Sequence, residues 1–407
     1  MKEICIINYG SNAAAYGIGT HIKEYIHCLR NIGFKINLIE LGTDNKYPEI
    51  YIKEEINLRT FHIPYIQKSN FVIYNKAVCR LLRLYLKDSS DLIFHFHYLQ
   101  SSSLLVRLKQ YFPLSKSILT IHYLYWSARF NGNITIYKDI IKQKSRKYTK
   151  KKYQDVIYNY EQEKKYIQSV DQVICLAEDT YNLLKDFYNV DTEKLFIIPN
   201  GLKPYKAFIS KEKQAELRKQ YYITENERII LFVGRINQIK GIQPLISAFE
   251  KVVATTPSCR LVLIGDGDFS SVVKQSYNAS TRISFTGKIN KEKLHQWYQI
   301  ADIGVFPSYY EESSYVGIEM LMHGLPIIAS DGYAVKNMFN SQNAIIASIN
   351  NWNKPESFTS SLTNSTLALL QSDELLVLKR RQALQSYKAT FHLKHMQQKY
   401  KTLLAKL

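Results

Sequence analysis

No stretch of the 407-residue sequence approaches the roughly 18 consecutive apolar residues that a membrane-spanning helix requires. The start, MKEICIINYG, also lacks the basic-then-apolar layout of a signal peptide. These two absences lead us to expect a cytoplasmic protein without a membrane span. Cysteine is sparse: Cys5, Cys28, Cys79, Cys175 and Cys259 are dispersed, with no close pair. An odd, scattered set argues against a disulfide framework and against a cysteine-held zinc, leaving buried, reduced thiols as the expectation. Acidic residues are in short supply as well, since 35 Asp and Glu stand against 54 Lys and Arg, a net charge of +19. Residues 1–200 hold 28 basic and 19 acidic residues and the remainder 26 and 16, so the surplus is spread along the chain and is no basic tail. A surface of this sign favours anionic partners: phosphorylated ligands, anionic lipid or nucleic acid. No nucleic-acid-recognition motif accompanies the charge, which disfavours the last of these.

Short apolar runs alternate with helix-length segments throughout. In the first half they read EICIINY, KINLIEL, DLIFHFHY, KSILTIHY, DQVICLA and KLFIIPNG, and HIKEYIHCLRNIG carries apolar residues at helical spacing up to Gly33. The second half repeats the plan with RIILFVG, RLVLIG, RISFTG, ADIGVFPS and LPIIAS, and with helical patterns over 242–253 and 291–300. Such alternation predicts parallel sheets covered by helices. The polar segment 202–222, which contains Pro204, reads as a linker, and the last residues read as an amphipathic helix. The expected fold class is α/β: two doubly wound, Rossmann-like domains facing a central cleft, over residues 1–203 and 204–385, with 386–407 packing back toward the first.

In open parallel sheets, ligands bind beyond the carboxyl ends of the strands. FVGRINQIKG sets Gly234, Arg235, Lys240 and Gly241 in one strand-to-helix loop. Two cations beside helix N-terminal amides suit a diphosphate. AAAYGIGTHI supplies Gly17 and Gly19, but the third glycine of a nicotinamide fingerprint is replaced by Ile22, which disfavours a dinucleotide oxidoreductase. Asn200, in IPNG, and the LIGDG segment end strands and read by themselves as ordinary turns. His95 and His97 alternate on one strand and share a sheet face, and His122 ends another. A metal needs a third ligand, which the sequence does not supply, so no metal is expected.

Taken in order, these motifs resemble a retaining glycosyltransferase of the GT-B fold, in the large family-4 group that includes sucrose and glycan-building enzymes. The resemblance runs over nearly the whole chain and is densest from Ile229 to Ser330. Its most specific elements are GRINQIKG, a pair of glutamates separated by seven residues, and HGLPIIAS. Glu311 lies eight positions before Glu319 and so matches the first glutamate of that pair, whereas its neighbour Glu312 does not. The resemblance implies that Glu311 contacts the donor sugar, that Glu319, opening a helix, binds the ribose, and that Arg235 and Lys240 hold the diphosphate. It implies that His122 lines the sugar site, that Gly17 and Gly19 approach the phosphates and acceptor, and that Gly287 to Ile289 lie near the base. Asn200, Gly234, Ser313, Ser314 and Tyr315 complete the expected donor-binding set. Where the family often carries Gly-Phe-Gly after the first glutamate, this chain has Glu312, Ser313 and Ser314. No cofactor is implied beyond a nucleotide-diphosphate sugar as co-substrate, and the acceptor is a glycan, a lipid-linked glycan or a peptide. The competing expectation is another chemistry on the same fold, an epimerase or phosphorylase.

Residues 138–152 hold eight basic residues and one acid. This segment reads either as a solvated helix face or as a contact for an anionic membrane surface, at the inner membrane face, or for an anionic acceptor. In sedimentation with liposomes, the protein should pellet with anionic vesicles and remain in the supernatant with neutral ones; equal partition would remove the segment's membrane role.

Overall fold

The computed structural model describes residues 2–10, 17–43, 49–65, 70–142, 153–352 and 354–407. The chain divides into two compact units, the first made of Met1–Tyr125, Ser145–Gly201 and Leu393–Leu407, the second of Trp126–Lys144 and Leu202–His392.

The first unit is built on β1 (Glu3–Tyr9), β2 (Lys35–Leu41), β3 (Tyr51–Glu55), β4 (Leu58–Ile63), β5 (Leu92–Phe96), β6 (Lys116–Ile121), β7 (Gln172–Cys175) and β8 (Leu195–Ile197). They form one sheet in the order β3-β4-β2-β1-β5-β6-β7-β8. All pairings are parallel except β3 with β4, a hairpin at the sheet edge. That hairpin was not legible in the sequence, because YIKEE is mostly exposed and carries no apolar alternation. The central strand β1 is buried along its middle five residues, as expected of a strand covered on both faces. The helix Gly17–Asn31 lays Ile18, Ile22, Tyr25 and Leu29 against the sheet and stops before Gly33, whose φ is +81°. On the same core sit Leu393, Met396, Tyr400, Leu403 and Leu404 from the helix Leu393–Ala405, at the spacing that keeps one helical face apolar.

The second unit contains β9 (Arg228–Val233), β10 (Cys259–Ile264), β11 (Ile283–Gly287), β12 (Ile303–Phe306), β13 (Ile327–Ser330) and β14 (Ile345–Ala347). The order is β11-β10-β9-β12-β13-β14, every pairing parallel. Strand order reverses beside β9, so the carboxyl ends of β9 and β12 flank a topological switch point, the place where such sheets bind ligands. One apolar cluster lies on each face of this sheet, and residues along β9 alternate between them: Ile229, Leu231 and Val233 in one, Ile230 and Phe232 in the other. The polar segment read as a linker contains a helix, Lys211–Gln220, started by Ser210, whose side chain accepts from Lys213 N.

The segment Trp126–Lys144 lies early in the sequence yet belongs to the second unit, away from a simple cut near residue 203. The reason is aromatic packing. Trp126, fully buried, meets Tyr310 and Tyr333 edge-on at centroid distances of 5.4 and 4.9 Å. Of the basic stretch 138–152, only Lys138 to Lys142 and nothing of 143–152 falls among the described residues. No helix among them is long and apolar enough to cross a membrane.

Candidate functional site

In the second unit, the loop after β9 turns at Gly234, projects Arg235 outward and closes in a single 3-10 turn, Gln238–Lys240. Gly241 follows in the left-handed region at φ +69° and caps the helix Ile242–Thr255. A Cβ at Gly241 would lie 2.1 Å from the carbonyl oxygen of Pro307, so glycine is required for this backbone to pass the loop after β12. The two loops are further tied by Tyr309 N, which donates to Ile239 O at 2.9 Å. Their side chains meet: Lys240 Nζ is in direct contact with Glu311 Oε1. Glu311 is held from two more directions, by Ser308 Oγ donating to the same oxygen at 3.1 Å and by its own N–H donating to Tyr333 O at 3.1 Å. The side chain of Arg235 is exposed and has no hydrogen-bond or ion-pair partner among the described residues. The helices Ile242–Thr255 and Tyr315–Met322 both start at these loops without a side-chain cap. Their positive dipole ends add to the two cations, which makes the region suited to an anion.

The adjacent glutamates part company. Glu312 points into the protein, is buried, and accepts from the hydroxyl of Tyr310. It is a carboxylate tied into the interior. Glu319 lies one turn inside the helix Tyr315–Met322, so it does not open that helix. Its Oε2 accepts from Tyr298 OH at 2.9 Å, and burial pushes its carboxyl above the usual carboxylate range. Ser313 is buried beside Glu312. The Ser314 amide is directed at Met338 Sδ, 3.1 Å away. Tyr315 begins the helix and is buried. Gly287 ends β11 at φ +67°, with Ile289 two residues on, partly buried against the core. The LIGDG segment, which read as an ordinary turn, is stitched to the Arg235 loop by Ile236 N donating to Asp266 O at 2.7 Å.

The remaining sequence-derived residues gather in the first unit. Gly17 and Gly19 are not in a loop but in the first turn of the helix Gly17–Asn31. One turn along that helix, His21 turns into the unit, where its Nδ1–H donates to Asn200 Oδ1 at 2.7 Å and its Nε2 accepts from Tyr400 OH at 3.3 Å. Asn200 is therefore a buried partner of His21 in this unit. Next to His21 are His97 and His122, joined by a 3.1 Å hydrogen bond between His97 Nδ1 and His122 Nε2. His95 stacks on His97 at a centroid distance of 4.4 Å and bonds Thr120 Oγ1 through Nε2 at 2.8 Å. Burial holds all four imidazoles neutral, His21 down to about 4 and the others well below their ordinary value, with neighbouring rings adding to the effect.

His21, His97 and His122 each bring a ligand nitrogen within 4.8 Å of the others. The sequence offered no third ligand because His21 lies on a helix, 76 residues before His97. The fold supplies it. Three imidazoles are a donor set that zinc and its neighbours accept, but here His21 is engaged by Asn200 and Tyr400, and His97 and His122 engage each other. A second group missed from sequence is Glu163, buried in the helix Gln154–Ser169, which accepts from Tyr125 N at 2.7 Å and Tyr188 OH at 3.0 Å. Burial raises its carboxyl to about 7. No local pattern marks either residue; only a polar side chain on an apolar helical face hints at them.

The histidine cluster sets an acid limit on stability. Each ring's folded pKa lies below its unfolded value of about 6.5, so the unfolded chain binds protons first and stability is lost as pH falls through that value. Glu163 acts in the opposite sense, its raised pKa costing stability as pH climbs toward 7. Replacing His95 with Gln, which can keep the Thr120 bond, should isolate one ring's share. Between pH 7 and 5 the variant should lose about 2 kcal/mol less stability than the parent in urea titrations. Identical losses would mean that the ring is not held neutral.

Comparison with known proteins places these observations. The model described as Glycosyltransferase Family 4 matches residues 15–205, and that described as Glycosyl transferases group 1 matches residues 213–359. The alpha-monoglucosyldiacylglycerol synthase of Streptococcus pneumoniae is 31% identical over 183 residues, 44% of this chain and 41% of that protein. The chain spans about two fifths of the length of the curated relatives it matches. Among solved structures, sucrose-phosphate synthase from Thermosynechococcus elongatus superimposes with a TM-score of 0.76 at 20% identity, covering 100% of both chains. Anabaena HepE in complex with UDP gives 0.73 at 13% identity, again over 100% of both.

Proposed function

The chain belongs to the family-4 glycosyltransferases of GT-B fold, and from that membership we propose that it transfers a sugar from a nucleotide-diphosphate donor to an acceptor hydroxyl with retention at the anomeric carbon. The contact of Lys240 with Glu311, beside an unpaired Arg235 and two uncapped helix starts, is the observation that carries this reading. A donor diphosphate brings negative charge, and the loop after β9 supplies two cations, Arg235 and Lys240, beside the start of a helix. In this reading Arg235 and Lys240 take the diphosphate oxygens. Glu311, fixed by Ser308 and by its own amide, accepts hydroxyls of the donor sugar. Glu319 keeps Tyr298 on Oε2 and offers Oε1 to the ribose. The resemblance assigns His122 to the sugar, and a neutral imidazole, as burial keeps it, serves there as a hydrogen-bonding group and not as an ion.

In the reaction, the bond between the anomeric carbon and the diphosphate oxygen breaks, and the electron pair leaves with the nucleoside diphosphate. The acceptor oxygen bonds to the same face of that carbon, and its proton passes to the departing phosphate oxygen. No separate protein base is then required. The negative charge that grows on the leaving group is offset by Arg235, Lys240 and the helix starts, and such preorganised groups are worth roughly 3–4 kcal/mol each in the transition state. The acceptor belongs to glycan, polysaccharide or glycolipid synthesis, a reading supported by the Streptococcus pneumoniae relative, whose name describes a glycolipid synthase. Relatives named for inositol phosphate and lipopolysaccharide substrates widen the acceptor class without choosing among its members.

Incubation with a panel of nucleotide sugars, followed by thermal unfolding and product analysis, tests the proposal; it fails if no nucleotide sugar raises the melting temperature or is consumed. Arg235→Ala should lower kcat by about 100- to 1,000-fold with little change in melting temperature, and Lys240→Ala should lower kcat as much while also lowering the melting temperature, because it leaves Glu311 largely buried without its cation. Near-parental turnover in both variants would remove the diphosphate role. Glu319→Ala should weaken nucleotide binding measured by calorimetry, whereas unchanged affinity would remove the ribose contact.

A further inference from the structure

The second unit holds a cavity of about 630 Å³, within the range of small-ligand pockets. Its walls are the outer face of the helix Ile242–Thr255, the start of the helix Pro355–Leu370 and the loop before the helix Ile134–Lys142. That loop is pinned in place. Gly132 sits at φ +83° with a virtual Cβ 2.5 Å from Tyr309 O, so the loop backbone packs directly on the strand-end loop that bears Glu311. Asn133 Oδ1 accepts from Ile136 N at 3.3 Å and starts the next helix.

The chemistry of the lining is specific. Trp352, 39% exposed, and Tyr309 line the cavity with ring centroids 5.1 Å apart. Gln238 and Gln243 line it with carboxamides, and Lys251 and Glu356 contribute one charge of each sign. None of these six side chains has a hydrogen-bond or ion-pair partner among the described residues. On a chain with a net charge of +19 the cavity is thus electrically balanced, and it is not built for an anion. Aromatic rings with free carboxamide, indole and phenol groups match a ligand that has C–H faces and many hydroxyls but no charge.

We propose that this cavity is a binding subsite for a neutral oligosaccharide, the growing glycan on the acceptor side of the reaction. The identification with the acceptor rests on the glycosyl-transfer reading; the saccharide chemistry rests on the cavity alone. Connectivity supports the link. Gln238 stands two residues before Lys240 and Tyr309 two before Glu311, so the two loops that carry the charged pair also furnish this wall. A sugar chain held here is held on the same two loops that carry the proposed donor contacts.

The test uses the full chain and neutral tetrasaccharides of glucose, galactose and N-acetylglucosamine. Of the three tryptophans, Trp126 and Trp297 are buried, so a change in tryptophan fluorescence on binding reads out Trp352. At least one tetrasaccharide should change the fluorescence of the parent and give saturation-transfer NMR signals. Trp352→Ala and Gln243→Ala should weaken that binding at least tenfold. In turnover, Trp352→Ala should raise KM for a tetrasaccharide acceptor about tenfold, while donor hydrolysis by water and transfer to a monosaccharide stay at parental rates. Binding that depends on Trp352 without any sugar transfer would keep the subsite and discard the enzymatic reading. Transfer that proceeds with equal KM in parent and variants, or the absence of tetrasaccharide binding to the parent, would overturn the subsite.

Discussion

The close passage of two backbones at the carboxyl edge of the second sheet governs the geometry of the charged site. Gly241 runs so near Pro307 O that any side chain would collide with it, and the amide of Tyr309 then reaches Ile239 O. With the loops locked at this separation, Lys240 and Glu311 meet without either having to be drawn across solvent. Both side chains are largely buried, and a buried ion pair survives only where its geometry is good and its spare valences are satisfied. Ser308 supplies part of that satisfaction. The pair is thus a consequence of the backbone approach and not an independent source of stability.

The same loops distribute three carboxylates into three environments. Glu311 faces a cation, Glu312 a tyrosine hydroxyl in the interior, and Glu319 another tyrosine within a helix. Only the first is placed to respond directly to an added anion through its lysine. Glu319, with one oxygen engaged and its carboxyl raised by burial, gains from any hydroxyl that donates to it, because a hydrogen bond to the charged form offsets part of the desolvation cost. In the first unit the polar residues follow a different rule. Four imidazoles crowd together without a carboxylate among their bonded partners, and the low dielectric keeps them neutral, so their hydrogen bonds orient rings and do not store charge.

Much of the fold was legible locally. EICIINY and KINLIEL became β1 and β2 residue for residue, and the helical pattern over 291–300 became the helix Lys291–Ile300. Each is a short segment whose apolar spacing matches one element and whose ends carry their own signals, such as Asn290 capping Lys293 N. The β3–β4 hairpin and β14 left no such trace, being short or exposed. The polar stretch containing Lys211–Gln220 read as linker because one buried residue, Leu217, makes too weak an apolar stripe to recognise.

The sequence by itself determined the alternation of the main strands and helices, the loop that carries Arg235 and Lys240, and the spacing that singles out Glu311 and Glu319, because these are properties of neighbouring residues. Tertiary structure decided what pairs with what. It turned Glu312 inward to Tyr310, set Ser314 N toward Met338, brought His21 from a helix to His97, His122 and Asn200, and drew Trp126 and the segment after it onto Tyr310 and Tyr333. Each of the last two contacts joins residues more than 70 positions apart. Their free energy comes from excluding water around groups that only the folded chain brings together, and no local periodicity encodes that.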